Sequence, residues 1–148
     1  MIDLVLKCGK IITPDGILEA SLGIDDGSIV AMAKNSAMPD ADTVIDVKGN
    51  LVMPGFIDAH THIRGMQKSE LEDFTTGTTA AASSGVTTIF EMPITIPPTS
   101  SVTNFVEKRK TAEREAVVNF ALYGGAGSQN LVEIPGMAGV SVVHILET

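Results

Sequence analysis

The sequence predicts an α/β fold in two parts, and three observations carry that prediction. Before Pro54, short β-prone runs are separated by turn residues; after it, β-branched runs alternate with segments of helical character. At the junction, Pro54-Gly55-Phe56-Ile57-Asp58-Ala59-His60-Thr61-His62 sets two imidazoles two residues apart at the end of an apolar stretch. Polar residues gathered at the far end of a parallel strand are where α/β barrels carry their chemistry.

The first part reads as strands over Leu4 to Ile12, Ile17 to Ile24, Ser28 to Ala33, Thr43 to Val47 and Leu51 to Met53. Turns fall at Pro14-Asp15-Gly16, Asp25-Asp26-Gly27 and Lys48-Gly49-Asn50, and Asp26-Gly27 is the strongest hairpin signal among them. The second part opens with a strand from Phe56 to His62 and a helix from about Glu70 to Ser84, which Gly85 ends. Val86 to Phe90 is a β-branched run of the kind found in buried parallel strands, and Glu91, which closes it, is given no role.

Ser101 caps a helix running to about Ala116, whose charges at Glu107, Lys108, Arg109, Lys110, Glu113, Arg114 and Glu115 read as a solvated face. Val117 to Tyr123 is a third strand, followed by the loop Gly124-Gly125-Ala126-Gly127, a short helical stretch from Asn130 to Met137, and an apolar run from Val140 to Leu146. The glycine loop lacks the spacing of a phosphate-binding fingerprint and reads as a strand-to-helix connection. His144, inside the last apolar run, reads as a core or terminal histidine, and Met66, Met92 and Met137 as gap fillers. Strands alternating with helices imply βαβ units, here about half the circuit of a barrel.

The alternation of side chains along a strand sends His60 and His62 to the same face. Two imidazoles so placed suit a zinc-like divalent ion, whose catalytic sites combine a few protein ligands with an open water position. The pair alone also fits a solvated strand edge or two hydrogen-bonded imidazoles, and the spacing does not separate these readings.

Composition narrows the partners. With 148 residues the chain has the size of one ordinary domain, short of the roughly 250 residues of a complete eight-fold barrel. Its 18 acidic against 10 basic residues, a formal charge of −8, and the lack of a basic cluster interleaved with aromatics argue against a nucleic-acid partner. No run approaches the roughly 20 apolar residues of a membrane span, so no membrane partner is expected. The single cysteine, Cys8, reads as a small buried hydrophobe in a reducing compartment, which makes the expected location cytoplasmic.

Taken with the β-rich start, several segments together resemble the amidohydrolase superfamily, and within it the cyclic amidases: dihydroorotase, allantoinase and hydantoinase. They are Gly49 to His62, Phe74-Thr75-Thr76-Gly77-Thr78-Thr79-Ala80-Ala81-Ala82, Gly85-Val86-Thr87-Thr88, Met92-Pro93 and Pro97-Pro98-Thr99. The resemblance implies an α/β fold, a partial TIM-type (β/α) barrel preceded by a small N-terminal β-sandwich portion. Residues 1–53 would form the sandwich portion and residues 54–148 the first three to four βα units of an incomplete barrel. It further implies metal-dependent hydrolysis of a cyclic amide, with His60 and His62 as ligands of a divalent metal, zinc in the first instance. Asp58, on the same strand face, is expected either to orient an imidazole from behind or to close the strand.

Arg64 follows the pair by two residues, where dihydroorotase-like members bind the substrate carboxylate, a task suited to a guanidinium fork. Those members also have asparagines at the positions of Ile94 and Ile96, so the resemblance points away from dihydroorotate and toward an allantoin-like or hydantoin-like cyclic ureide. Family members complete the site with a lysine, two more histidines and a proton-shuttling aspartate on later strands. No lysine follows Lys110, so no residue of this chain is assigned as the catalytic acid or base. The chain is accordingly expected to be an N-terminal fragment of such an enzyme, one half of a split enzyme, or a non-catalytic interaction protein. A homo-oligomer or a complementary chain is the expected macromolecular partner.

Overall fold

The computed structural model describes residues 1–67 and 69–140. Contacts divide these into two compact units, Met1–Pro54 and the residues from Gly55 onward. The apolar run beyond Val140 and His144 lie outside the described residues.

In the first unit β1 (Ile2–Thr13) pairs antiparallel with β2 (Gly16–Asp25), and β2 with β3 (Ser28–Ala33). Asp26 and Gly27 form the hairpin tip with φ of 47° and 67°, the left-handed geometry that makes Asp-Gly a hairpin signal. Two further strands, β4 (Ala41–Asp46) and β5 (Leu51–Val52), lie parallel to β1 one after the other. The Lys48-Gly49 turn therefore does not reverse the chain. It matches a break in register between Leu6 and Gly9, where Cys8 has a φ of 59° and its carbonyl accepts from Gly49 N at 2.8 Å. Cys8 is exposed, contrary to the buried hydrophobe expected, because its bulge turns it off the sheet face. Val5, Ile11 and Leu22 are buried, with Ser21 Oγ accepting the Cys8 N–H at 3.3 Å.

The second unit runs β6 (Phe56–Thr61), α1 (Phe74–Ser83), β7 (Val86–Glu91), α2 (Val102–Glu115), β8 (Asn119–Leu122) and α3 (Ile134–Val140). Its three strands form a parallel sheet in the order β6-β7-β8. Phe74 from α1, Ile89 from β7, Phe105 and Ala112 from α2, Phe120 and Leu122 from β8 and Met137 from α3 make one apolar cluster. Burying a phenylalanine ring in such a cluster is worth about 1.5–3 kcal/mol.

Helix α1 starts at Phe74, four residues later than expected. Asp73 stops it: its carboxylate accepts from Thr76 N at 2.7 Å while Thr76 Oγ1 accepts from Asp73 N at 3.1 Å, a reciprocal cap. At the other end Gly85, with φ of 82°, donates to Ala82 O and accepts from Phe56 N, tying the helix end to the start of β6. Strand β8 is shorter than the run Val117 to Tyr123, because Val117 N donates to Thr78 Oγ1 of α1 and not to the sheet. In the glycine loop, Gly125 N donates to Thr99 O and Gly127 N to Asn130 Oδ1, so these amides hold the loop itself. Among the described residues no helix is long and apolar enough to cross a membrane.

Candidate metal centre

Strand β6 does not run straight into β7. Its pairing passes from Asp58 opposite Ile89 to Thr61 opposite Glu91, with the register broken between them, so β6 has one residue more than its partner in this interval. Such a bulge bends the strand and re-aims its side chains. His60 lies in the bulge and His62 just beyond the strand end.

Their Nε2 atoms stand 3.1 Å apart, with the rings at 62° to one another. Two nitrogens each about 2.0–2.1 Å from one tetrahedral ion are roughly 3.3 Å apart, so the donor set fits a single zinc-like cation. The same contact serves as an imidazole–imidazole hydrogen bond when one Nε2 carries a proton. His62 Nδ1 is buried with no hydrogen-bond partner among the described residues. Nor do the described residues include a group of three or more His, Cys, Asp or Glu side chains able to hold a metal. The pair offers two nitrogen donors, fewer than the four of a closed tetrahedral site.

Asp58 takes a local partner: its Oδ1 accepts from His60 N at 3.0 Å, which fixes the backbone of the bulge. A cavity of about 410 Å³ is lined by Asp58, His60 and His62 together with Glu72 and Ile89. Arg64 is exposed and lines a separate cavity of about 390 Å³ with Leu71, Ile94, Thr95 and Ile96. The structure therefore joins the imidazoles and sets the guanidinium against an apolar wall.

The sequence reading missed one pair of charges. Lys108, expected on a solvated face, has 1% of its side chain exposed, as does Glu91, and the two are joined at 3.1 Å. Glu91 Oε2 also accepts from Ile63 N at 2.8 Å and Thr61 Oγ1 at 3.2 Å, while Lys108 Nζ donates to Met92 O at 2.8 Å. Burial pushes the Glu91 carboxyl above the usual carboxylate range, against the pull of Lys108 and these hydrogen bonds. It lowers Lys108 in turn, against the attraction of Glu91. The signal was present in the spacing: Phe105, Lys108 and Ala112 fall at i, i+3 and i+7 and are the buried stripe of α2.

The sequence profile of the amidohydrolase family matches residues 51–134. An L-hydantoinase of Paenarthrobacter aurescens is 41% identical over 138 residues, which cover 93% of this chain and 30% of that enzyme. A dihydroorotase of Methanothermobacter thermautotrophicus is 39% identical over 137 residues, again 93% of this chain and 30% of the relative. The solved L-hydantoinase (dihydropyrimidinase) from Arthrobacter aurescens superposes with a TM-score of 0.87 at 39% identity, over 94% of this chain and 31% of that one. The chain spans just under a third of the length of the curated relatives it matches. With the profile extending over more than half of its length, the chain belongs to the amidohydrolase family.

Proposed function

We propose that this chain supplies the opening part of a metal-dependent cyclic amidohydrolase, with His60 and His62 as ligands of a divalent ion, zinc in the first instance. Residues 1–53 would contribute to a β-sandwich and residues 54–148 the first three to four βα units of a TIM-type barrel. The observation that carries the reading is the 3.1 Å approach of the two Nε2 atoms at the end of β6. When bound, a divalent ion supplies an acidified water and a Lewis acid for an amide carbonyl, which is the chemistry of C–N hydrolysis near neutral pH.

The residues of this chain bind and orient. His60 and His62 offer neutral imidazole nitrogens, Asp58 holds the bulge that aims them, and the rest of the site, including the proton-transferring group, belongs to later strands of a longer polypeptide or a complementary chain. Arg64 beside Leu71, Ile94 and Ile96 favours a cyclic ureide with an apolar substituent, its ring oxygens meeting the guanidinium. A ring bearing a carboxylate would find one cation there and isoleucine where a second polar partner is needed. The exposed Phe56 and Ile57 of β6, at 57% and 66%, support association with further protein, as a homo-oligomer or with that complementary chain. The lone Cys8 suits the cytoplasm.

A second reading, a hydrogen-bonded imidazole pair on a non-catalytic protein, rests on the same 3.1 Å contact. Titration with Co²⁺ separates the two. One ion per chain, bound at least tenfold more weakly by the His60→Ala and His62→Ala variants, is expected. Binding that neither substitution alters would refute the metal reading. In a polypeptide that continues this chain through the remaining barrel strands, a hydantoin with an apolar substituent should be opened in preference to dihydroorotate; the reverse preference would reject the substrate assignment.

A further inference from the structure

We propose that Glu91 and Lys108 form a buried ionic clamp that positions His62, gripping the backbone on both sides of the imidazole at the point where β6 leaves its ladder. The inference rests on the reading of His60 and His62 as metal ligands, and extends it to Glu91, which is hydrogen-bonded to the residues on either side of His62, and to its partner Lys108.

On one side of His62, Thr61 O accepts from Met92 N at 2.9 Å and Thr61 Oγ1 donates to Glu91 Oε2. On the other, Ile63 N donates to the same Oε2 at 2.8 Å. No ladder pair beyond Thr61–Glu91 joins β6 to β7 among the described residues, so the carboxylate of Glu91 takes the Ile63 amide where the β7 backbone does not. Its second oxygen is anchored by Lys108 Nζ, which also holds Met92 O, so the two backbone grips on residues 61 and 63 meet at one ammonium. A carboxylate suits this task because it can receive three donors on two oxygens at once, which an amide cannot.

Stability alone does not account for the pair. Replacing a buried ion pair by apolar side chains of similar volume is often neutral or stabilising, whereas removing one partner is not. Partners that orient metal-ligating histidines characteristically change metal affinity by 10–100-fold when lost. Here the orientation acts through the peptide units that flank the ligand. Glu91 and Lys108 are positioning residues.

The test uses this chain, Co²⁺ as the probe, and the double variant Glu91→Leu/Lys108→Met, which removes both charges and keeps the volume. The clamp predicts a folded variant that binds Co²⁺ at least tenfold more weakly than the parent, with faster hydrogen exchange at Ile63 N–H. A folded variant that binds within twofold of the parent overturns it. Should the double variant fail to fold, Glu91→Asp decides: the charge remains but the shorter carboxylate cannot hold Lys108 and Ile63 together. Parental affinity in that variant refutes the clamp, and a tenfold loss supports it. If the parent itself binds no Co²⁺, the metal reading fails. The clamp is then judged by Ile63 exchange and by the nuclear Overhauser contact between the His60 and His62 rings, and unchanged values in the variant overturn it.

Discussion

The sheet of Met1–Pro54 buries few large apolar side chains, whereas the unit from Gly55 onward, although it leaves Phe56 and Ile57 exposed, gathers a continuous apolar cluster between strands and helices. Ile29 is 65% exposed, and Val30, Val44 and Ile45 are also exposed, while Phe74 and Phe120 are wholly buried. The difference is one of layers. A β-sheet is stabilised when a second layer covers its apolar face, and only the βα unit provides one among the described residues. Phe74→Ala should therefore destabilise by about 3–5 kcal/mol, read from the urea midpoint, and Ile29→Ala should remain within about 0.5 kcal/mol of the parent. A large loss for Ile29→Ala would break the contrast, because it would mean that this face is covered in solution.

The ion pairs divide in the same way. Lys7 and Asp46 meet at 3.6 Å with side chains 35% and 42% exposed, whereas Lys108 and Glu91 meet at 3.1 Å with both almost wholly buried. Water screens the first pair, so Lys7→Met should cost less than about 1 kcal/mol. Lys108→Met leaves a carboxylate inside the protein without its cation and should cost about 3–5 kcal/mol, with the single variant much less stable than Glu91→Leu/Lys108→Met. Equal stability of the single and double variants would mean that Glu91 takes up a proton and stays neutral when its partner is lost.

How far the sequence was legible follows the same physics. The strands and helices after Pro54 could be read because each presents one apolar face at a regular period, and the shared face of His60 and His62 because side chains alternate along a strand. Lys108 was hidden by its neighbours: in a run of charges the eye groups it with Glu107, Arg109 and Lys110, although its spacing from Phe105 and Ala112 puts it on the core stripe. The pairing of β4 and β5 with β1 was not legible, since turn residues mark where a chain bends and not which strand it then joins. The bulge between Asp58 and Thr61 escaped for a related reason. Alternation puts His60 and His62 on one face, but the convergence of their Nε2 atoms comes from a register break written jointly by β6 and β7.

The smallest expected effect concerns the start of α1. The sequence places the helix start near Glu70, yet Asp73 caps α1 three residues later, and its hydrogen bonds from Thr76 N and Oγ1 hold the carboxyl below its ordinary value of 3.8. A carboxyl whose folded value is depressed contributes stability that is present above the unfolded value and is lost as pH falls through the folded one. The urea midpoint of the parent should therefore drop on acidification below about pH 4 by more than that of Asp73→Asn, which still caps but carries no titrating group. Because Asp73 is solvent-exposed, the advantage its ionised form gives the parent should be modest, present at neutral pH and lost on acidification. Parallel acid limbs in the two proteins would mean that the cap acts as a neutral acceptor and that the acid sensitivity of the βα unit arises from carboxylates other than Asp73.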